Sequence, residues 1–199
     1  MTFHDWLIFA GFWAVFVTSP GPNAANCILA GWSAGLPRAL WCVAAILTQA
    51  SAFLALAATG AGALLAAAPE AFAAVRLAGA AVLVGFGVLA WVRAGRAVEP
   101  PPPGGRLYLR ALAIATFNAK SLAGYLAAFT QFVRTDVAMA AQMTWIAPTA
   151  LTLTALSYTG WTALGAWLGR RALGVVASLW LRRALAACLV AYGVALALL

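Results

Sequence analysis

Charge is what this sequence has least of. Of its 199 residues, 12 are Lys or Arg and 4 are Asp or Glu, so that only 8% are charged. Soluble domains carry roughly a quarter charged residues. A water-soluble fold of this length would have too few charges to cover its surface, and lipid must be the solvent for most of the chain. Histidine is scarcer still. The one histidine, His4, stands beside Asp5 near the N-terminus, and neither is given a role. No Ser-His pair and no paired carboxylates can be assembled, which argues against an enzyme. Three cysteines, Cys27, Cys42 and Cys188, are an odd number without CxxC spacing. They read as small buried side chains rather than a redox pair or a zinc site. No metal or other cofactor is expected, because ligand-type residues do not cluster inside the apolar runs. Basic residues are missing before the first apolar run, so the first segment is expected to be retained rather than cleaved as a signal.

What the sequence does have is long apolar runs, with 65% hydrophobic residues. The runs are continuous and rich in Ala and Leu, which favours helices over the alternating strands of a membrane barrel. A spanning helix needs about 20 such residues. Six candidate segments follow: 6–28, 39–68, 77–92, 111–133, 137–168 and 172–199. The second and fifth are long enough to require tilt, a kink or protrusion. Between the third and fourth lies Pro100-Pro101-Pro102-Pro103-Gly104-Gly105, which cannot continue a helix. The expected organisation is therefore a three-helix unit over 1–93, a Pro-rich linker over 94–106 and a second three-helix unit over 107–199.

The net charge of +8 raises the question of nucleic acid, but the arginines sit in short inter-helix loops and not on one face. They orient the chain in a membrane instead. Arg38, Arg93, Arg96, Arg106, Arg110, Arg170, Arg171, Arg182 and Arg183 fall on one side, and only Arg76 and Arg134 on the other. The rich side should be cytoplasmic, which puts both termini outside a bacterial-type inner membrane. Tryptophans near both predicted boundaries agree, while Trp13 and Trp161 fall outside that belt and read as packing or lumen residues.

The two halves share a length pattern of medium, long and short segments. Shifting by 97 positions lays Gly21-Pro22-Asn23 on Asn118-Ala119-Lys120. An odd number of spans per half would make the halves oppositely oriented, the inverted-repeat plan of many secondary transporters. The fold class expected is an all-α integral membrane protein of about six transmembrane helices in two inverted three-helix repeats.

Three features carry chemistry. Pro20, Gly21, Pro22 and Asn23 interrupt or end the first helix, and the freed backbone groups need protein or a water-filled cavity as cover. The bland alternative is a plain helix terminus. Asn23 and Asn26 share one face of the continuing helix. Lys120, the single lysine, follows Asn118 about ten residues into the fourth segment. A charge at that depth usually faces a cavity or a partner. Snorkelling to the inner surface is the rival, disfavoured by about 15 Å of helix. Gln49 near the centre of the second segment is either inter-helix glue or part of a substrate path. Gly31/Gly35 and Gly165/Gly169 have GxxxG spacing, which favours close helix packing and, as a lesser reading, a homodimer.

Taken together, these residues resemble the lysine exporter (LysE/RhtB) family of amino-acid efflux proteins. The resemblance rests on Pro20-Gly21-Pro22-Asn23 followed by Gly31 and Gly35, on Gly60, Pro69, Phe72, Leu77, Gly79, Leu83 and Gly87, on Phe117-Asn118-Ala119-Lys120, and on Gln131-Phe132-Val133. It covers nearly the whole chain. It implies two inverted triplets, export of amino acids or related small metabolites, and coupling to the proton gradient. It also implies that the two interrupted helices approach each other. The substrate-binding residues expected from both readings are Pro20, Gly21, Pro22, Asn23, Asn118 and Lys120, with Gln49, which departs from the family's usual small residue, added on its buried amide alone. The chain departs from the family at Ala119, where a proline is usual, and a less interrupted fourth helix is expected. No Asp or Glu lies inside a span, so the residues themselves do not supply a carboxylate proton carrier. The missing proline and carboxylates also leave a rival reading, a non-transporting relative that serves as an assembly or regulatory subunit.

Overall fold

The computed structural model describes residues 2–59, 104–133 and 137–170 continuously, together with scattered helical positions within 77–95 and 179–198. Five helices are bounded within the continuous stretches: α1 (Phe3–Thr18), α2 (Pro22–Ala58), α3 (Gly104–Thr116), α4 (Ala119–Phe132) and α5 (Met139–Arg170). No strand occurs among the described residues.

Local chemistry sets the boundaries. Thr2 and Asp5 form a capping box that opens α1: the Asp5 amide donates to Thr2 Oγ1 at 3.2 Å and the Thr2 amide donates to Asp5 Oδ2 at 3.0 Å. Ser19 closes α1 with an extended ψ of 137°, and Pro20 cannot donate to the preceding turn. Pro22 then takes the first position of α2, where its missing N–H costs nothing. Gly35 interrupts α2 with φ 73°, a backbone conformation open mainly to glycine.

The partners on each side show that Gly35 is a reversal. Ala24, Cys27 and Ala30 share a core with Ala39, Cys42 and Ile46, while Val17 and Trp13 share another with Ala50 and Leu54. Numbers rise on one leg as they fall on the other. Residues 22–34 and 36–58 therefore form an antiparallel hairpin, with Pro37 in the first turn of the returning leg. Counted as one rod, Pro22–Ala58 is the one described helix long and apolar enough to cross a membrane, and this reversal divides it.

Helix α5 runs parallel to the path made by α1 and 22–34. Trp6 Nε1 donates to Thr149 Oγ1 at 2.9 Å, Trp13 Nε1 to the Ala150 carbonyl at 3.0 Å, and Ser157 Oγ to the Val17 carbonyl at 2.9 Å. Further along, Gly31 lies against the backbone of Thr162 and Ala166, Gly165 against that of Ile28, and Gly169 against that of Trp32. A Cβ at any of the three would run into main-chain atoms, which only separation of the helices could relieve. Of the two predicted glycine pairs, only Gly31/Gly35 needs correcting, at one member: Gly31, Gly165 and Gly169 bring helices together within the chain, and Gly35 makes a turn with open space around it.

The expected spans shift accordingly. The first, set at 6–28, is interrupted after Thr18, and the second begins at the Gly35 reversal rather than at Ala39. The fourth, set at 111–133, starts at Gly104, so that Gly104, Gly105 and Arg106 are helical rather than linker. The Trp41 ring packs on Gly104 at this start. The fifth matches α5 closely, and its Pro148 removes one backbone donor inside the helix. Residues 60–68 and 96–103 lie outside the described residues. Between the scattered helical positions, Gly87 meets the backbone of Ala186 and Val190, and the Arg183 guanidinium stands 5.3 Å over the Trp91 ring.

Apolar side chains face outward as well as inward. On α1, Phe9, Trp13 and Val17 are buried while Leu7, Ile8 and Val15 are exposed. A helix apolar on all sides is suited to a lipid surround.

The close approach of 22–34 to α5 predicts that Gly165→Val costs roughly 1–3 kcal/mol through overpacking. Melting of the purified protein in detergent should fall by several degrees for Gly165→Val and stay near wild type for Gly160→Val, because Gly160 has open space beside it. Equal melting of the two variants would mean that the helices separate freely.

Candidate functional site

Two interrupted helical paths cross in this molecule. The first is α1, a break at 19–21, and 22–34. The second is α3, a break at 117–118, and α4. They run antiparallel. Phe132 packs on Phe9 with ring centroids 5.5 Å apart, Tyr125 on Trp13 at 5.0 Å, and Gly124 on Phe16. Along the returning leg of the hairpin the order is parallel instead. Tyr108 packs on Trp41 and donates to Thr48 Oγ1 at 3.0 Å, and Tyr125 packs on Phe53 at 5.3 Å.

The breaks themselves meet. Lys120 Nζ donates to the Ser19 carbonyl at 2.6 Å and lies 5.4 Å from the centroid of the Phe16 ring. Its stem passes over Gly21, where a Cβ would stand 3.2 Å from Lys120 Cδ. The last carbonyls of α1 have lost their helical donors, and the ammonium supplies one of them. A hydrogen bond to a charged group contributes about 1.5–3 kcal/mol, and the aromatic face adds about 0.5–2 kcal/mol. Lys120 is therefore partnered across the halves and does not snorkel to a surface.

Asn118 explains why the second break persists without proline. It is buried, with φ −76° and ψ 106°, and its Oδ1 accepts from the Lys120 amide at 3.1 Å. An Asx residue in this role starts a helix by satisfying an orphan amide. The expectation of a less interrupted fourth helix at Ala119 is thus overturned: α3 ends at Thr116 and α4 begins anew at Ala119. Gly21 and Asn118, the two N-cap residues, are separated by the 97 positions that relate the halves in sequence.

The other predicted residues divide. Pro20, Gly21 and Pro22 form the first break beside Lys120. Asn23 and Gln49 are buried at 3% exposure each, and Asn23 Oδ1 and Gln49 Nε2 have no hydrogen-bond partner. Both lie in the hairpin, and the pairing of its legs sets Gln49 at the level of the first break. Such orphaned amide atoms are rare in a finished core and mark a place where a polar ligand would be welcome. Thr48, by contrast, is glue: its hydroxyl accepts from Tyr108 and donates to the Ala44 carbonyl at 3.0 Å. The Cys42 thiol donates to the Leu107 carbonyl at 3.9 Å, and Thr162 Oγ1 donates to the Tyr158 carbonyl at 2.7 Å. Cys27 and Cys42 are free and buried, as packing residues should be. Trp13 is a packing residue too, buried and bonded to α5.

Sequence reasoning places Ser19 in the Thr18–Asn23 break without a binding role, and does not select Phe16. Ser19 contributes only its backbone, which carries no residue signature beyond its place before Pro20. Phe16 is one of many aromatics in α1. Among the described residues Asp5 is the only carboxylate, and it belongs to the capping box. No group of residues suited to holding a metal ion occurs among the described residues. The site offers one ammonium, orphaned amides and two helix N-termini, a set suited to a small ligand bearing a carboxylate.

Comparison with known proteins gives the family. The chain is 29% identical, over 85% of its length and 85% of the relative, to an uncharacterized membrane protein of Vibrio cholerae serotype O1. It is 27% identical, over 84% of its length and 85% of the relative, to a homoserine/homoserine lactone efflux protein of Salmonella typhimurium, and equally to that of Salmonella typhi. No solved structure matches. The family model for LysE type translocators matches residues 14–199. The chain, a helical membrane protein, therefore belongs to the LysE type translocator family.

Proposed function

We propose that this protein is a secondary transporter that exports amino acids or closely related small metabolites from the cytoplasm. The observation that carries the proposal is the crossing of two helix breaks, with Lys120 of one on the Ser19 carbonyl of the other. Breaks of this kind leave helix ends inside the membrane, where they bind charged groups that lipid would reject. Lys120 pairs with the substrate carboxylate, and Pro20, Gly21, Pro22 and Asn118 hold the helix ends open around it. Asn23 and Gln49 offer their orphaned amide atoms to the remaining polar groups of the substrate. The efflux relatives are named for homoserine and its lactone, which share a small size, an amine and no charged side chain, and this supports a small uncharged-side-chain amino acid or derivative as substrate.

The architecture proposed is six spans in two inverted triplets, joined by a Pro-rich linker that ends before Gly104, and rocking about the crossing by alternating access. The matching N-caps at Gly21 and Asn118 and the antiparallel course of the two paths support it. The arginine distribution supports an inner-membrane protein with both termini outside. Coupling to the proton gradient rests on the family resemblance. The rival reading, a non-transporting subunit, drew on the missing proline at Ala119 and on the missing carboxylates inside the spans; the break kept by Asn118 removes the first ground and leaves the second.

Efflux from cells loaded with dipeptides tests the proposal. Cells expressing the protein should release one or a few neutral amino acids faster than empty-vector cells. Lys120→Ala should lose this release by roughly tenfold or more, the equivalent of one charge-assisted hydrogen bond, while still inserting in the membrane. Asn23→Ala should lose it in part. Unchanged release by a well-inserted Lys120→Ala protein would remove Lys120 from transport. Orientation is tested separately: alkaline phosphatase fused after Leu199 should be active, and fused within 94–106 inactive. The reverse pattern would invert the topology.

A further inference from the structure

We infer that the Ser19 carbonyl and the Phe16 ring form an ammonium subsite that Lys120 fills at rest, and that a zwitterionic substrate takes the subsite by exchange. The substrate's own ammonium replaces that of Lys120, and the released Lys120 receives the substrate carboxylate. The inference rests on the transport reading above and adds to it where the second charged group of the substrate goes.

The end of α1 is where the subsite is built. The carbonyls from Ala14 to Val17 each find a donor. The Ala14 carbonyl accepts from Thr18 Oγ1 at 2.6 Å, the Val15 carbonyl from the Ser19 amide at 3.0 Å, the Phe16 carbonyl from Ser19 Oγ at 2.8 Å, and the Val17 carbonyl from Ser157 Oγ at 2.9 Å. These donors are neutral. The Ser19 carbonyl differs, since its donor is a primary ammonium 101 positions away in the sequence. A helix C-terminus carries partial negative charge, and an aromatic face attracts a cation. Together they make an ammonium site, and Lys120 demonstrates that an ammonium fits it.

Exchange is mechanically easy on one side only. The Ser19 carbonyl is main chain held by the cap of α1, whereas Lys120 Nζ stands at the end of a flexible four-carbon stem. Gly21 lets that stem lie close over the break, because a Cβ there would crowd Lys120 Cδ at 3.2 Å. An α-amino acid carries its carboxylate two bonds from the ammonium. With the ammonium on Ser19, the carboxylate falls next to the displaced Lys120 and close to the first turn of α2, whose N-cap Gly21 provides no side-chain acceptor. A bare amine would displace Lys120 and leave it without a counter-charge. A cationic amino acid would bring a second positive charge to a site with no carboxylate among the described residues. The subsite therefore selects neutral zwitterions against both.

Because Lys120 is the only lysine in the chain, the wild-type protein reports on the exchange directly. Protein labelled with ¹⁵Nζ-lysine and placed in nanodiscs should give one side-chain ammonium signal. L-homoserine, L-threonine or L-leucine should shift it, and the corresponding primary amines without the carboxylate, or L-lysine, should not at equal concentration. In wild type the preference for amino acid over amine should be about tenfold or more, and in Lys120→Met, which keeps the Ser19 subsite and empties it, that preference should collapse. Phe16→Leu should weaken amino acid and amine alike. If the protein exports in cells and the Lys120 signal ignores every amino acid, or amines shift it as strongly, the inference is wrong while the transport reading stands. If nothing is exported and nothing shifts the signal, the transport reading fails and takes the inference with it.

Discussion

A backbone carbonyl that loses its helical partner inside a bilayer has no water to turn to, and another part of the protein has to answer it. The rest of this structure is organised around that demand at one place, the end of α1. Pro20 ends the helix, and the carbonyls left behind draw in Thr18, Ser19, Ser157 and, from the opposite half, Lys120. The same contact meets the demand of the lysine, whose charge at that depth also needs a partner. Each half thus carries a group that is costly alone, and the cost is relieved only when the halves cross at their breaks.

The crossing sits between two kinds of packing. On one side α1 and α4 interlock through aromatic rings, with Phe9, Trp13, Phe16, Tyr125 and Phe132 in contact. On the other, small residues let backbones approach, with Ala24, Cys27 and Ala30 against Ala39, Cys42 and Ala45, and Gly31 against α5. Large interdigitated rings resist sliding, and close main-chain contact through glycine resists separation. The breaks at 19–21 and 117–118 lie where the two regimes join, and they are the places where helix ends, and not continuous helix, face each other.

Much of this was legible beforehand. The scarcity of charge gave the lipid environment, and Pro20-Gly21-Pro22 gave the first break. Lys120 stood out because a lone lysine deep in an apolar run is too costly to be idle. The 97-position shift placed Gly21 on Asn118, and both prove to be N-caps. The failures have physical causes. Ala119 suggested a smoother helix because proline was taken as the helix breaker, whereas the Asn118 side chain starts a new helix by itself. Gly35 was read as part of a packing motif because spacing alone cannot distinguish a glycine needed for its small size from one needed for its positive φ.

The sequence by itself determined that the chain lives in lipid, that Pro20-Gly21-Pro22 interrupts or ends its first apolar run, and that one ammonium lies within the fourth. Composition and periodicity are local quantities, and these are local consequences. Only the tertiary structure decided what the ammonium touches. Its partner is a main-chain carbonyl, and a main-chain carbonyl is the same group at every residue. No pattern of side chains could have pointed to Ser19, and the pairing became visible only once the fold had carried Lys120 across 101 positions to reach it.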